Sequence, residues 1–428
     1  MTAYPGKGGE ILEYAVETAL GTPGSYGAIR MEEGADFPTI EKQLAQPSHM
    51  GRQHWANTDD SPVTFESYQE NSLKIPMMVR GHGTASSKPP IVEILESTGL
   101  AMTKTTSVDL DAYTSGVAFS ADATGSAGPG DAMALQADDG RHWPFIVSNT
   151  PASAAFDFVP GYAVPGAVGT PASNDLYGAY CLTPRARQVP ATTTIAARWF
   201  SRQQHTSNQA VFTALGCAAA EVPSLTLETG KPIKFDFGLH VADLALSDTT
   251  YATGDTTANE QEQFLIWGGG ASQFAFANAS TSGGIAAGTV NLVKADIDFG
   301  HKVVPIIGTG TTGTLNNCQG YMAVPGPAKI TLTLLCDMAF WTDISADTFQ
   351  MKYIHFAQAG SSTLPFFGAF FPRCQQTDNP VLEDKRGDYM QCKLSYTASA
   401  ANWGDVVTVD TDPSAPWALV FGRAVAAA

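Results

Sequence analysis

His49 and His54 precede Asp59 and Asp60 in one polar stretch, and imidazole and carboxylate together are competent ligands for a divalent metal. Their spacing follows no metal motif, and a long polar tip explains them as interface or solvent residues, so no metal or cofactor is expected. Glu66, Glu93, Glu96, Asp296 and Asp298 could supply a glycosidase pair, since that chemistry needs only two carboxyl groups on facing surfaces. As charges on strand and helix faces they need no catalytic explanation. The sequence contains no H-E-x-x-H, G-x-S-x-G or G-x-x-x-x-G-K-[ST] pattern, and GTGTTG at 308–313 lacks both a following helix and a phosphate-binding lysine. Tryptophans 55, 143, 199, 267, 341, 403 and 417 could stack on sugars, although those on strands, such as Trp199 and Trp267, read more simply as core. No catalytic residue is assigned, and the chain is expected not to be an enzyme.

The elements that would position these residues are strands. The chain of 428 residues is 44% hydrophobic but only 15% charged, with 41 Gly and 26 Pro, a composition suited to many short strands and turns. Its length allows more than one domain. A net charge of −17 should make the surface as a whole repel nucleic acid and disfavours ordinary binding by phosphate neutralisation. The six cysteines, 181, 217, 318, 336, 374 and 392, form no C-x-x-C pair and read as reduced, mostly buried thiols. Neither a signal peptide nor a membrane-spanning stretch is recognisable, and synthesis in a reducing cytoplasm is expected.

Phe37–Leu44 and a region ending in NSLKIPMMVRG read as a hairpin with a very long tip, 46–62. Pro89 and Pro90 start a helix, Ile91, Ile94 and Leu95 fall at helical spacing, and Gly99 stops it. About 101–190 reads as an irregular insertion with a few strands. TTTIAARWF and QAVFTALGC pair, and Ile233, Phe235 and Phe237 alternate with polar neighbours. The order then recurs: a strand-like stretch from Thr289 to Ile306, a long tip at 307–328, a returning strand AKITLTLLCD, a helix at ISADTFQMK, and a pair made of YIHFAQ and LPFFGAFFPRC. Cys217, Pro223, Leu225 and Gly230 share their offsets with Cys374, Pro380, Leu382 and Gly387, and PWALVF answers FLIW. Two copies of one β-domain are expected, 1–245 with its insertion and 246–428 with a linker.

The run DFPTIEKQL, long tip, SLKIPMMVRGHGTASSKPPIVEILESTGL resembles the N-terminal part of siphophage tail tube proteins, in which a strand ending R-G-x-G-T-A precedes a Pro-initiated helix ending in G-L. GKPIKFDF is similar to the strand that closes such a domain; the second half lacks the R-G-x-G-T-A signature. The resemblance implies a mainly β fold of two tandem tail-tube-type β-sandwich or half-barrel domains, each with a flanking helix and a long hairpin loop. It implies a virion structural protein, assembled in the host cytoplasm, whose partners are itself, in trimeric or alternatively hexameric rings stacked into a tube, and other tail proteins at the tube ends.

DNA would pass transiently through the lumen. Inter-ring contacts are expected from His49, Arg52, His54, Trp55, Asp59, Asp60, Asn316, Asn317 and Tyr321, and an acidic lumen from Glu41, Asp296 and Asp298. The alternative is a phage or secreted carbohydrate- or receptor-binding β-protein.

Overall fold

The computed structural model describes residues 10–30, 32, 35, 71–82, 87–106, 110–114, 118–121, 130–147, 155–159, 176–185, 188–201, 209–249, 260–278, 291–308, 318–336, 341–342, 352–385, 389–399, 401–402 and 414–423. The fold is mainly β, in several antiparallel sheets. The expected helix is present as Pro90–Glu96, entered through Pro89 and Pro90, with Ile91, Ile94 and Leu95 fully buried. Gly99, at φ 81°, ends it in the left-handed conformation that L side chains resist. The hydroxyls of Ser97 and Thr98 donate to the Ile94 and Leu95 carbonyls, each at 2.6 Å, and so satisfy acceptors in the last turn.

The first sheet runs in the order Glu10–Ala19, Ile195–Ser201, Gln209–Ala219, Lys234–Thr249 and Asn71–Met78. Alternation places its faces: Phe235, Phe237, Leu239 and Val241 are buried, while Lys234 and Asp236 between them point outward. The last strand continues to Thr249, past the domain boundary expected at 245.

The larger second sheet contains Ser272–Asn278, Lys352–Gln358, Pro365–Gln376, Tyr389–Ala398 and Lys329–Cys336 in the same spatial order. The register repeats as well as the order. Cys217 sits opposite Val241 and Ala219 opposite Leu239; Cys374 sits opposite Ala398 and Gln376 opposite Tyr396. Ile195 faces Cys217 and Trp199 faces Phe212, with a register shift between Ile195 and Ala197. Lys352 faces Cys374 and Phe356 faces Ala369, with a shift between Lys352 and Ile354. Every residue in these matches is displaced by the 157 positions that separate Cys217 from Cys374. The outer strands agree: Leu12 opposes Trp199 as Phe274 opposes Phe356, and Ile75 opposes Phe237 as Leu332 opposes Leu394.

Several sequence expectations need correction. PWALVF does not answer FLIW. Ala418–Arg423 pairs with the start of Pro365–Gln376, where the first sheet uses the distal half of Lys234–Thr249. The 307–328 tip is shorter than expected, because Cys318–Val324 is a strand paired with Lys302–Ile307 and Val189–Ala191. The insertion is not irregular. It holds a six-stranded antiparallel sheet, from Leu110–Thr114 to Leu176–Gly178, whose central His142–Val147 strand is wholly buried. Its Ala132, Ala134 and Ile146 pack with Tyr353, Phe366 and Phe370 of the second sheet. The Phe37–Leu44 strand and all but the final Lys352 of the ISADTFQMK helix lie outside the described residues, and Lys352 opens a strand.

The core is shared between the sheets. Phe235 of the first sheet lies 6.2 Å from both Phe367 and Phe421 of the second, and one buried cluster includes side chains of both. All six cysteines are buried.

Candidate assembly surface

Two kinds of surface could carry contacts between copies, strand edges and the polar faces of the sheets. Leu225–Glu228 shows what an edge does here. It leaves the first strand set and pairs with Leu292–Asp298, on the outer edge of the second set. Its Leu225 and Leu227 side chains are completely buried, so strand addition closes backbone donors and acceptors and covers apolar surface together.

The outward face beside that junction carries Asp296 and Asp298, which alternate with buried Ala295 and Ile297. Asp296 accepts from the Thr226 hydroxyl at 2.8 Å and pairs with Lys294 at 2.7 Å. Asp298 accepts from the Gly300 amide at 2.9 Å, holding a turn in which Gly300 has φ 63°. The register puts Lys329 and Lys393 on this same face, and the matching face of the first sheet carries Lys74 and a Lys234–Asp236 ion pair at 2.9 Å. Asp298 is therefore exposed and Asp296 partly so, and lysines share their face.

Tyr321 is corrected. It is not a loop residue: it lies in Cys318–Val324, fully buried, with its hydroxyl donating to the Gly216 carbonyl and its ring stacked at 6.0 Å on His240. His49, Arg52, His54, Trp55, Asp59, Asp60, Asn316, Asn317, Glu41 and Glu66 lie outside the described residues. Of the tryptophans, 143, 199, 267 and 417 are buried in the core, which withdraws them as sugar platforms.

A charged knot unmarked by any local motif ties the first sheet to the helix. Tyr14 donates a short hydrogen bond to Glu93, and Lys88 pairs with Glu96 at 2.5 Å. Burial pushes the Glu93 carboxyl up, against the Tyr14 hydrogen bond and the Lys88 charge. Arg80, the first residue of the R-G-x-G-T-A run, pairs with Glu32 at 2.6 Å and lies 5.0 Å above the Phe264 ring. Beside it, Glu260 accepts the Arg30 amide at 2.9 Å, and burial raises its carboxyl to about 7. Tyr14, Lys88, Glu93 and His82 line a small polar cleft of about 270 Å³.

A perturbed carboxylate in a cleft is one mark of a catalytic site, but Glu93 is engaged by Tyr14, which anchors the helix to the first sheet. Among the described residues, no cluster of three or more His, Cys, Asp or Glu could hold a metal ion. No described helix is long and apolar enough to cross a membrane. No protein-family profile matches the chain, and no curated protein matches it.

Proposed function

We propose that this chain is a non-enzymatic structural protein of a phage virion, the ring-forming subunit of a tail tube through which DNA passes. The observation that carries this reading is the repeated five-strand set, with equal spatial order, equal register and the same internal shift. Two copies of one β-unit in a chain suit a pseudo-symmetric ring, in which three chains contribute six units. The Leu225–Glu228 crossover supplies a physical link between successive units.

The tube's partners are other copies of itself and the tail proteins that meet its ends. A charge of −17 leaves DNA ungripped in transit, since every phosphate-neutralising contact would deepen a trap. Because lysines share the face of Asp296 and Asp298, an acidic lumen has to draw on other carboxylates, with Glu41 an untried candidate.

Electron microscopy of concentrated purified protein tests the proposal. Tubes whose rings show three chains and six similar lobes are expected. Six chains per ring would keep the tube and discard the trimer, and a persistent monomer that binds glycans would overturn both.

A further inference from the structure

Two of the six cysteines face one another. Cys336 is the last residue of Lys329–Cys336 and stands opposite Met390, and Cys392 of Tyr389–Ala398 stands opposite Leu334. The pair therefore lies diagonally across one antiparallel ladder, on its buried face. The two thiols are hydrogen-bonded to each other. Those of Cys181, Cys318 and Cys374 point instead to backbone carbonyls, of Gly130, Gly320 and Phe371. Cys392 is completely buried, whereas Cys336 keeps 8% of its surface exposed.

The repeat shows that this pair belongs to the second sheet alone. The register that matches Ile75 to Leu332 and Phe237 to Leu394 continues to match Val79 to Cys336 and Phe235 to Cys392. The Val79 amide donates to the Ile233 carbonyl at 2.9 Å, just where Cys336 stands opposite Met390 in the other sheet. Val79 and Phe235 are apolar and buried, so packing at these two positions does not call for sulfur. The second sheet has a thiol at both.

We propose that Cys336 and Cys392 form a dithiol site that a low-molecular-weight disulfide, of the glutathione class, oxidises to an intramolecular bond. Cys336 loses its proton to solvent and attacks one sulfur of the small disulfide, whose S–S bond breaks and releases one thiolate. Cys392 then loses its proton and attacks the Cys336 sulfur, expelling the second small thiolate. Each released thiolate takes up a proton, so two protein thiols are oxidised while one disulfide is reduced to two thiols. Access sets the order. Burial, with the Cys336 thiol beside it, pushes the Cys392 thiol up to about 12, so Cys392 resolves a bond formed next to it rather than meeting the oxidant. Diagonal neighbours stand about 7–8 Å apart at Cα, just beyond the usual disulfide span, so the bond draws the strand end inward. As the last residue of its strand, Cys336 moves at the least cost in ladder bonds. The closed loop takes in Lys352–Gln358 and Pro365–Gln376, the middle strands of the second sheet, and removes freedom from their unfolded state. The bond requires no second copy of the chain.

The test uses the full-length chain, incubated without denaturant in glutathione disulfide, then alkylated and digested without reduction. Mass spectrometry should find the loss of two hydrogens and a linked peptide joining Cys336 to Cys392. The urea midpoint of the oxidised protein should rise by about 0.5 M or more and fall back on reduction. Cys336→Val, which copies Val79 of the first sheet, should form no link and show no redox-dependent midpoint. The linked peptide is read on the wild type, so the site stands or falls even with a variant that does not fold. Six thiols still alkylated after prolonged incubation, a glutathione adduct that never resolves, or a link between any other pair would overturn the site. A Cys336–Cys392 link with an unchanged midpoint would overturn its stapling of the second sheet.

Discussion

Replacing Phe235 by alanine probes whether the two strand sets fold as one body. The side chain is fully buried on the first sheet, with its ring 6.1 Å from Phe237 and 6.2 Å from Phe367 and Phe421 of the second. A phenylalanine buries roughly 150–250 Å², which at about 25 cal/mol per Å² is on the order of 4–6 kcal/mol before relaxation. Measured Phe→Ala costs of about 3–5 kcal/mol agree. With a urea dependence near 3 kcal/mol per M, the midpoint should fall by roughly 1 M or more.

The assay is urea denaturation followed by tryptophan fluorescence and by far-ultraviolet circular dichroism. Because Phe235 touches both sheets, both probes should move together in a single transition. Two separate transitions, of which only the earlier moves, would refute the shared core and restore independent tandem folding.

Glu260→Gln keeps an acceptor for the Arg30 amide while removing the charge. Because the folded carboxyl sits at about 7, the wild type binds an extra proton when folded, and stability is full below the ordinary carboxylate value of 4.5 and is lost as pH rises through 7. The variant should flatten that loss, gaining on the order of 3 kcal/mol at pH 8 relative to pH 4.5; parallel stability profiles for the two proteins would disprove the assignment. Gly99→Ala forces a Cβ within 2.6 Å of the Ala323 Cβ at φ 81° and should cost about 2–4 kcal/mol in thermal or urea unfolding. Tyr321→Phe leaves the Gly216 carbonyl without its donor and should cost about 1–2 kcal/mol of stability without altering ring contacts, the opposite of what an interface residue would show. Deleting residues 48–58 should give a folded subunit that does not polymerise; filaments of normal length from that deletion would refute an inter-ring role for the tip.

Local pattern alone determined much of this protein. The alternation at Phe235 and Phe237, the Pro90 helix start and the Gly99 stop are short-range physics, set by side-chain period and permitted φ, and the structure has them where the sequence puts them. The Cys217 and Cys374 spacing was legible for the same reason, since equal strand lengths and equal turns give equal residue offsets. Tertiary structure decided what local pattern does not encode. Tyr14 meets Glu93 across 79 residues, and Arg30 meets Glu260 across 230, so neither carboxyl's burial could be read from its neighbours.

The strand pattern of YMAV is the same whether it ends a loop or packs in a sheet. Only its pairing with Lys302–Ile307 and the hydroxyl's reach to Gly216 placed Tyr321 inside. Leu225 and Leu382 are alike in sequence position and opposite in exposure because the first pairs across into the other strand set, while the second folds back on its own sheet.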